Sequence, residues 1–193
     1  RGTMESLDKE AFSMAAELIQ NAKKIYIVGI RSCEPLADFL GFYLNMLFDE
    51  VHVVRTNSAS EIFEQLMRIG AGDVLIGISF PKYSMRTVKA MELANSRSAG
   101  VISITDSIHS PLNLYSSCNL IARSEMASVV DSLTAPLSVI NALIVALCLK
   151  NQDSLKQSIE TLDQLYDDYQ IYGRDEMEPS GGEIEIFHQG SRV

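Results

Sequence analysis

The sequence predicts an α/β fold: a three-layer αβα sandwich around a five-stranded parallel sheet, followed by an acidic C-terminal helix. Three observations predict it. Four short runs, 24–30 (KIYIVGI), 73–79 (DVLIGIS), 101–105 (VISIT) and 118–122 (CNLIA), are continuous and β-branched rather than alternating. That is the pattern of parallel strands covered on both faces. Helical patterns lie before and between them, so strand and helix alternate with room for right-handed crossovers. Turn signals fall where strands should begin: Gly70-Ala-Gly-Asp73 and Ser98-Ala-Gly100 each stop a helix just ahead of a strand.

Along the chain, a helix over 7–22 leads into the first strand, and residues 1–22 read as a lead-in element. The opening Arg1-Gly-Thr3 ahead of Met4 looks like a cloning scar. Helices are expected over 35–48, 58–69, 84–98 and 132–149, with a weaker fifth strand at 51–54 (VHVV). Pro35 sits just inside the first crossover helix, where a missing N–H costs nothing. Asp106-Ser-Ile-His-Ser-Pro111 reads as a loop. Residues 23–150 form the α/β domain. In 151–172, Leu155, Ile159, Leu162, Leu165, Tyr166 and Tyr169 recur at three- and four-residue spacing, an amphipathic helix. Residues 173–193, rich in Glu, Pro, Ser and Gly, read as a flexible tail. Helices 35–48 and 132–149 are apolar on nearly every side, more than one sheet face can cover. Self-association as a dimer or tetramer is the simplest use of the surplus.

Charge is uneven. Residues 1–150 carry 15 acids and 13 bases, whereas 151–193 carry 10 acids and 3 bases, within a net charge of −9. That balance argues against this chain gripping DNA or RNA by itself, since a phosphate backbone demands a basic face. Cys33, Cys118 and Cys148 are widely spaced, which fits reduced thiols in a cytoplasmic protein. No apolar run reaches the ~18–20 residues a bilayer needs, and no signal peptide is evident.

Two corners carry the chemistry. The first is Gly29-Ile-Arg-Ser-Cys33. A dinucleotide fingerprint would place a second glycine where Arg31 stands, so no nucleotide cofactor is expected. Ser32 offers a hydroxyl suited to a phosphate or a sugar; a plainer account is that it caps the following helix. The second corner is Ser79-Phe-Pro-Lys-Tyr-Ser84, with Lys82 in the turn and Arg86 just inside the helix. Cations are disfavoured at a helix N-terminus, so their presence hints at an anion between them. Arg31, Arg55, Lys82 and Arg123 each follow a proposed strand and are expected to converge at the sheet's carboxyl edge. Glu125 is the one carboxylate placed near such a pocket, as a general base or as an acceptor for sugar hydroxyls. His52, His109 and His188 read as structural or solvated, and no metal-ligand spacing is present.

At these residues the chain resembles the sugar isomerase (SIS) domain, in the form carried by RpiR-type bacterial transcriptional regulators. The resemblance rests on Val28-Gly-Ile-Arg-Ser32, Ile78-Ser-Phe-Pro-Lys-Tyr-Ser84, Ile102-Ser-Ile-Thr-Asp106 with Ser110-Pro-Leu112, and Met126-Ala-Ser-Val-Val-Asp-Ser132, spanning roughly 20–150. It implies a flavodoxin-like five-stranded sheet, usually dimeric, that binds a phosphosugar at the strand ends. In many SIS proteins the phosphate loop reads SxSGxT. Here Pro81 and Lys82 replace the middle serine and glycine, which points to Lys82 as a substitute contact. Such regulators carry an N-terminal helix-turn-helix domain that is not seen here, so DNA would be a partner only through that domain.

The expectation is an effector-sensing, dimerising domain that binds a phosphorylated sugar or amino sugar and is not an enzyme. Arg31 and Lys82 would neutralise phosphate, Ser32, Ser79 and Ser84 would hydrogen-bond the ligand, and Glu125 would read hydroxyls. Two alternatives remain: an aldose–ketose phosphosugar isomerase, and a dimerisation module with a vestigial pocket.

Overall fold

The computed structural model describes residues 8–55, 58–123 and 132–169. Its elements in chain order are α1 (Lys9–Gln20), β1 (Ile25–Gly29), a 3-10 turn (Arg31–Cys33), α2 (Glu34–Asn45), β2 (Val51–Val53) and α3 (Ala59–Gln65). Then follow β3 (Val74–Ile78), α4 (Met85–Ser96), β4 (Gly100–Thr105), a 3-10 turn (Pro111–Leu114), β5 (Cys118–Ile121), α5 (Thr134–Lys150) and α6 (Gln152–Tyr169). All five expected strands are present. The expected 58–69 helix ends as an α-helix at Gln65 and continues as tight turns, with Met67 bonded to Glu64 and Ile69 to Leu66. The expected loop before residue 111 runs into the second 3-10 turn, with Pro111 in its first turn and the Ser110 hydroxyl accepting from the Leu112 amide.

The sheet is wholly parallel, in the order β2-β1-β3-β4-β5. Alternate strand residues feed two cores. Ile25, Ile27, Ile76, Ile78, Ile102, Ile104 and Leu120 pack with α1, α2 and α5 on one face. Tyr26, Val28, Leu75 and Val101 pack with α3 and α4 on the other. Burial of every residue of β1 and β3 explains why those runs are continuously apolar. At roughly 1.5–3 kcal/mol per fully buried aliphatic side chain, these two layers supply the main favourable term in folding. β2 is a three-residue edge strand, only partly buried, which is why its sequence signal is weak.

Short side-chain caps fix where helices start. Asp8 accepts from the amides of Glu10 and Ala11, Ser58 accepts from Glu61, and Ser84 accepts from Thr87. The chain divides into two compact units, Arg1–Leu155 and Lys156–Val193. Within α6 no residue is fully buried, and Ile159, Leu165 and Tyr169 are exposed.

Candidate functional site

The strand order sets the site. β1 and β3 lie side by side, with Gly29 opposite Ile78. From β1 the chain leaves into α2 on one face of the sheet, and from β3 it leaves into α4 on the other. Two adjacent strands whose exits diverge open a crevice at their carboxyl ends, the switch point at which open α/β sheets hold ligands. The two corners singled out in the sequence flank this crevice.

At the first corner, Gly29 is required by close approach. A Cβ there would lie 2.5 Å from the Cys33 carbonyl oxygen and 3.0 Å from Ala37 Cβ. The turn Arg31–Cys33 therefore folds tightly over the strand end. Arg31 has φ 60°, the left-handed region. Ser32 is exposed and does not cap α2: the residue before that helix is Cys33, with no side-chain cap bond, because the turn intervenes. The Ser32 hydroxyl has no hydrogen bond among the described residues.

At the second corner, Ser79 is 3% exposed and its Oγ accepts from the Ser84 amide at 3.0 Å. Ser84 in turn caps α4, its Oγ accepting from the Thr87 amide at 3.4 Å. These acceptor roles leave both hydroxyl protons available for a ligand. Between them Lys82 sits at φ 68°, exposed. Tyr83 donates to Asp106 Oδ1 at 2.8 Å, and Thr105 Oγ1 lies 3.2 Å from the same oxygen and 2.9 Å from Ser110 Oγ. This web ties the corner after β3 to the loop after β4. Burial, and then the hydrogen bond and charge of Asp106, push the Tyr83 phenol above its ordinary pKa. Thr87, fully buried in the first turn of α4, has an Oγ1 with no partner among the described residues.

The cations divide. Arg31 and Arg55 meet in a cleft of about 230 Å³, joined by Arg86 and by Gly29, Glu34 and Val54. Lys82 does not line it. Arg123 lines a different cleft, of about 430 Å³, with Asp8, Glu10, Met14, Ile108 and Asn119. The expected fourfold convergence is thus corrected to three arginines, with Arg86 replacing Lys82 and Arg123. For Arg123 the reason is strand order: β2 and β5 are opposite edges, four spacings of ~4.8 Å apart, about 19 Å. Arg55 is paired with Asp38 Oδ1 at 2.9 Å. Glu125 lies outside the described residues, as does His188. His52 stacks on Tyr26 with ring centroids 5.1 Å apart, and His109 is exposed.

The SIS domain model matches residues 18–146, two-thirds of the chain. The chain belongs to the SIS-domain family. An HTH-type transcriptional regulator from Caldanaerobacter subterraneus subsp. tengcongensis, itself uncharacterized, is 28% identical over 84% of this chain. The chain spans 58% of that regulator's length. The sugar isomerase domain of an RpiR transcription factor from Sphaerobacter thermophilus superposes with a TM-score of 0.80 at 24% identity, over 84% of this chain and 90% of that one. The Vibrio vulnificus NanR protein, solved in complex with ManNAc-6P, superposes with a TM-score of 0.74 at 20% identity, over 85% of this chain and 64% of that one.

Within the SIS frame the departure at the second corner has a physical account. Where the common loop carries glycine, Lys82 adopts the left-handed backbone that glycine favours. Arg31, at the position of a fingerprint's second glycine, does the same. Of the three non-glycine residues with positive φ among the described residues, the third, Ser98, merely follows the end of α4. Two strained cations at two adjoining corners are an unusual coincidence, since such backbone costs about 1–3 kcal/mol and concentrates at ligand sites. Sequence reading missed both strains, the Tyr83–Asp106 tether and the orphan Thr87 hydroxyl. The glycine-to-lysine replacement was the one signal that pointed toward them.

Proposed function

We propose that this chain is the effector-sensing, phosphosugar-binding and dimerising part of a bacterial transcriptional regulator of carbohydrate metabolism. The observation that carries the proposal is the pairing of two corners at the β1/β3 switch point, each bearing serine hydroxyls and a cation held at positive φ. Ser32, Ser79 and Ser84 hydrogen-bond the ligand, Lys82 and Arg31 neutralise its phosphate, and Glu125 reads its hydroxyls. Residues 23–150 form the phosphosugar-binding domain, 1–22 the lead-in, 151–172 an amphipathic helix and 173–193 a tail. The regulators similar in sequence, and NanR with its phosphorylated amino sugar, support the reading. DNA is reached through a separate helix-turn-helix domain, and the protein acts in the cytoplasm. Among the described residues no single helix is long and apolar enough to cross a bilayer.

Ligand binding would act by favouring one dimer arrangement over another, a shift limited by the ligand's differential affinity for the two. The domain senses rather than converts. The regulators similar in sequence support sensing over conversion, whereas isomerisation needs a base between adjacent carbons, a part that would fall to Glu125. The experiment is titration with a phosphosugar panel that includes ManNAc-6P, following thermal unfolding and assaying aldose–ketose conversion in the same samples. A raised midpoint without turnover is expected. Turnover lost in Glu125→Gln would replace the sensor with an isomerase, and no shift at millimolar ligand would leave only a dimerisation module.

A further inference from the structure

Three arginines from three separate elements line one cleft: Arg31 from the corner after β1, Arg55 from beyond β2 and Arg86 from the first turn of α4. Glu34 shares the lining, and Asp38 engages Arg55 from the side. Three cations against two carboxylates leave a surplus of positive charge in a chain whose net charge is −9. Arg31 and Arg86 have no acidic partner among the described residues. Both are also held at a local disadvantage. Arg31 sits in a left-handed backbone, and Arg86 stands at the positive end of a helix dipole. A bound anion would offset both, because a guanidinium fork matches carboxylate and phosphate oxygens two at a time.

This cleft is not the phosphate corner. Ser79, Lys82 and Ser84 do not line it. The two clusters are nevertheless adjacent, since Ser84 caps α4 and Arg86 is its second residue, about 5–6 Å away by helix geometry. One small metabolite can reach both. We infer that the effector carries a second anionic group besides its phosphate ester, the phosphate held at Ser79–Ser84 and the second anion by Arg55 and Arg86, with Arg31 shared between the two anions. The ligand class is then a phosphorylated sugar acid or a sugar bisphosphate. The inference rests on the phosphosugar reading above.

The test is calorimetric titration of the full chain with two pairs of probes matched in skeleton: glucose 6-phosphate against 6-phosphogluconate, and fructose 6-phosphate against fructose 1,6-bisphosphate. Within at least one pair the doubly anionic member should bind about tenfold tighter, the lower end for charge-assisted hydrogen bonds to an exposed guanidinium. The pair that shows it tells carboxylate from phosphate. Arg86→Gln should bring that ratio close to one, while Lys82→Gly should weaken both members and preserve the ratio. Arg86→Gln removes a cation from a helix N-terminus, so its folding should be intact, checked by its melting curve. Equal affinities within both pairs, or a tenfold ratio that persists in Arg86→Gln, would overturn the second-anion site and leave the phosphosugar reading standing. If neither these four probes nor ManNAc-6P binds at millimolar concentration, the phosphosugar reading itself fails and takes this inference with it; binding of ManNAc-6P alone overturns the second-anion site and leaves that reading standing.

Discussion

Lys82 combines two properties that a pair of substitutions separates: a left-handed backbone and an ammonium group beside the proposed phosphate seat. At φ 68° a side chain with a Cβ costs about 1–2 kcal/mol relative to glycine. Glycine's extra freedom in the unfolded chain takes back roughly 0.4–1 kcal/mol of that. Lys82→Gly should therefore be more stable than Lys82→Ala by about 0.8 kcal/mol at the centre of those ranges, a midpoint difference of roughly 2–3 °C for a domain of this size. Both variants lack the ammonium. A charge-assisted hydrogen bond contributes roughly 1.5–3 kcal/mol, and because Lys82 is exposed the lower figure applies, about a tenfold loss of phosphosugar affinity in each variant. Thermal melts and calorimetric titration of the three proteins measure both quantities. Equal stability of the glycine and alanine variants would refute the strain. Parent-like affinity in both would show that the loop holds phosphate by its hydroxyls and amides alone, with no part for Lys82.

Two further perturbations address the frame around the site. Burial pushes the Cys118 thiol from its ordinary 9.0 to about 11. Since the folded pKa lies above the unfolded one, its contribution is complete below pH ~9 and is lost as pH rises toward 11, at most about 3 kcal/mol. In urea unfolding between pH 8 and 10.5, the parent should lose more stability than Cys118→Ala; parallel curves would refute the buried-thiol account. On the outer side of the packed pair α2 and α5, Phe42, Val145 and Leu149 are 63%, 53% and 49% exposed. Phe42→Asp should shift a dimer to monomer in sedimentation equilibrium without altering the circular dichroism, because the side chain is mostly exposed and its ring meets only the edge of the neighbouring Tyr43. A parent that is already monomeric at tens of micromolar would remove this face as the dimer surface.

The frame was legible because each local signal had one physical cause. Continuous apolar runs mean strands covered twice, and Ile25–Gly29 and Val74–Ile78 are indeed buried at every position. Both corners were legible for the same reason: a run that must stay apolar ends abruptly in polar, exposed residues, Arg31 and Ser32 at one corner and Lys82 at the other. Strand order was not legible, because hydrophobic pattern carries no information on which strands adjoin. Arg55 and Arg123 look equivalent in the sequence, each one step past a strand, yet they follow β2 and β5 at opposite edges. Arg86 drew attention only as a misplaced helix cation, and the fold turns it into a member of the arginine cleft. The tether from Tyr83 to Asp106 joins two loops through side chains alone and leaves no periodic trace.

The overall acidity of the chain and an anionic ligand are compatible once distance is considered. Exposed charges beyond about 8 Å are largely screened at physiological ionic strength. Most of the −9 resides in 151–193, where 10 acids face 3 bases. What a small anion meets at contact range is set by the cleft: Arg31, Arg55 and Arg86 against Glu34, with Asp38 already engaged by Arg55. An anion that draws Arg55 inward must compete with Asp38, which lies on α2. The pair is exposed and contributes little by itself, so an anion can engage Arg55 at small cost, and ligand affinity should fall as salt rises.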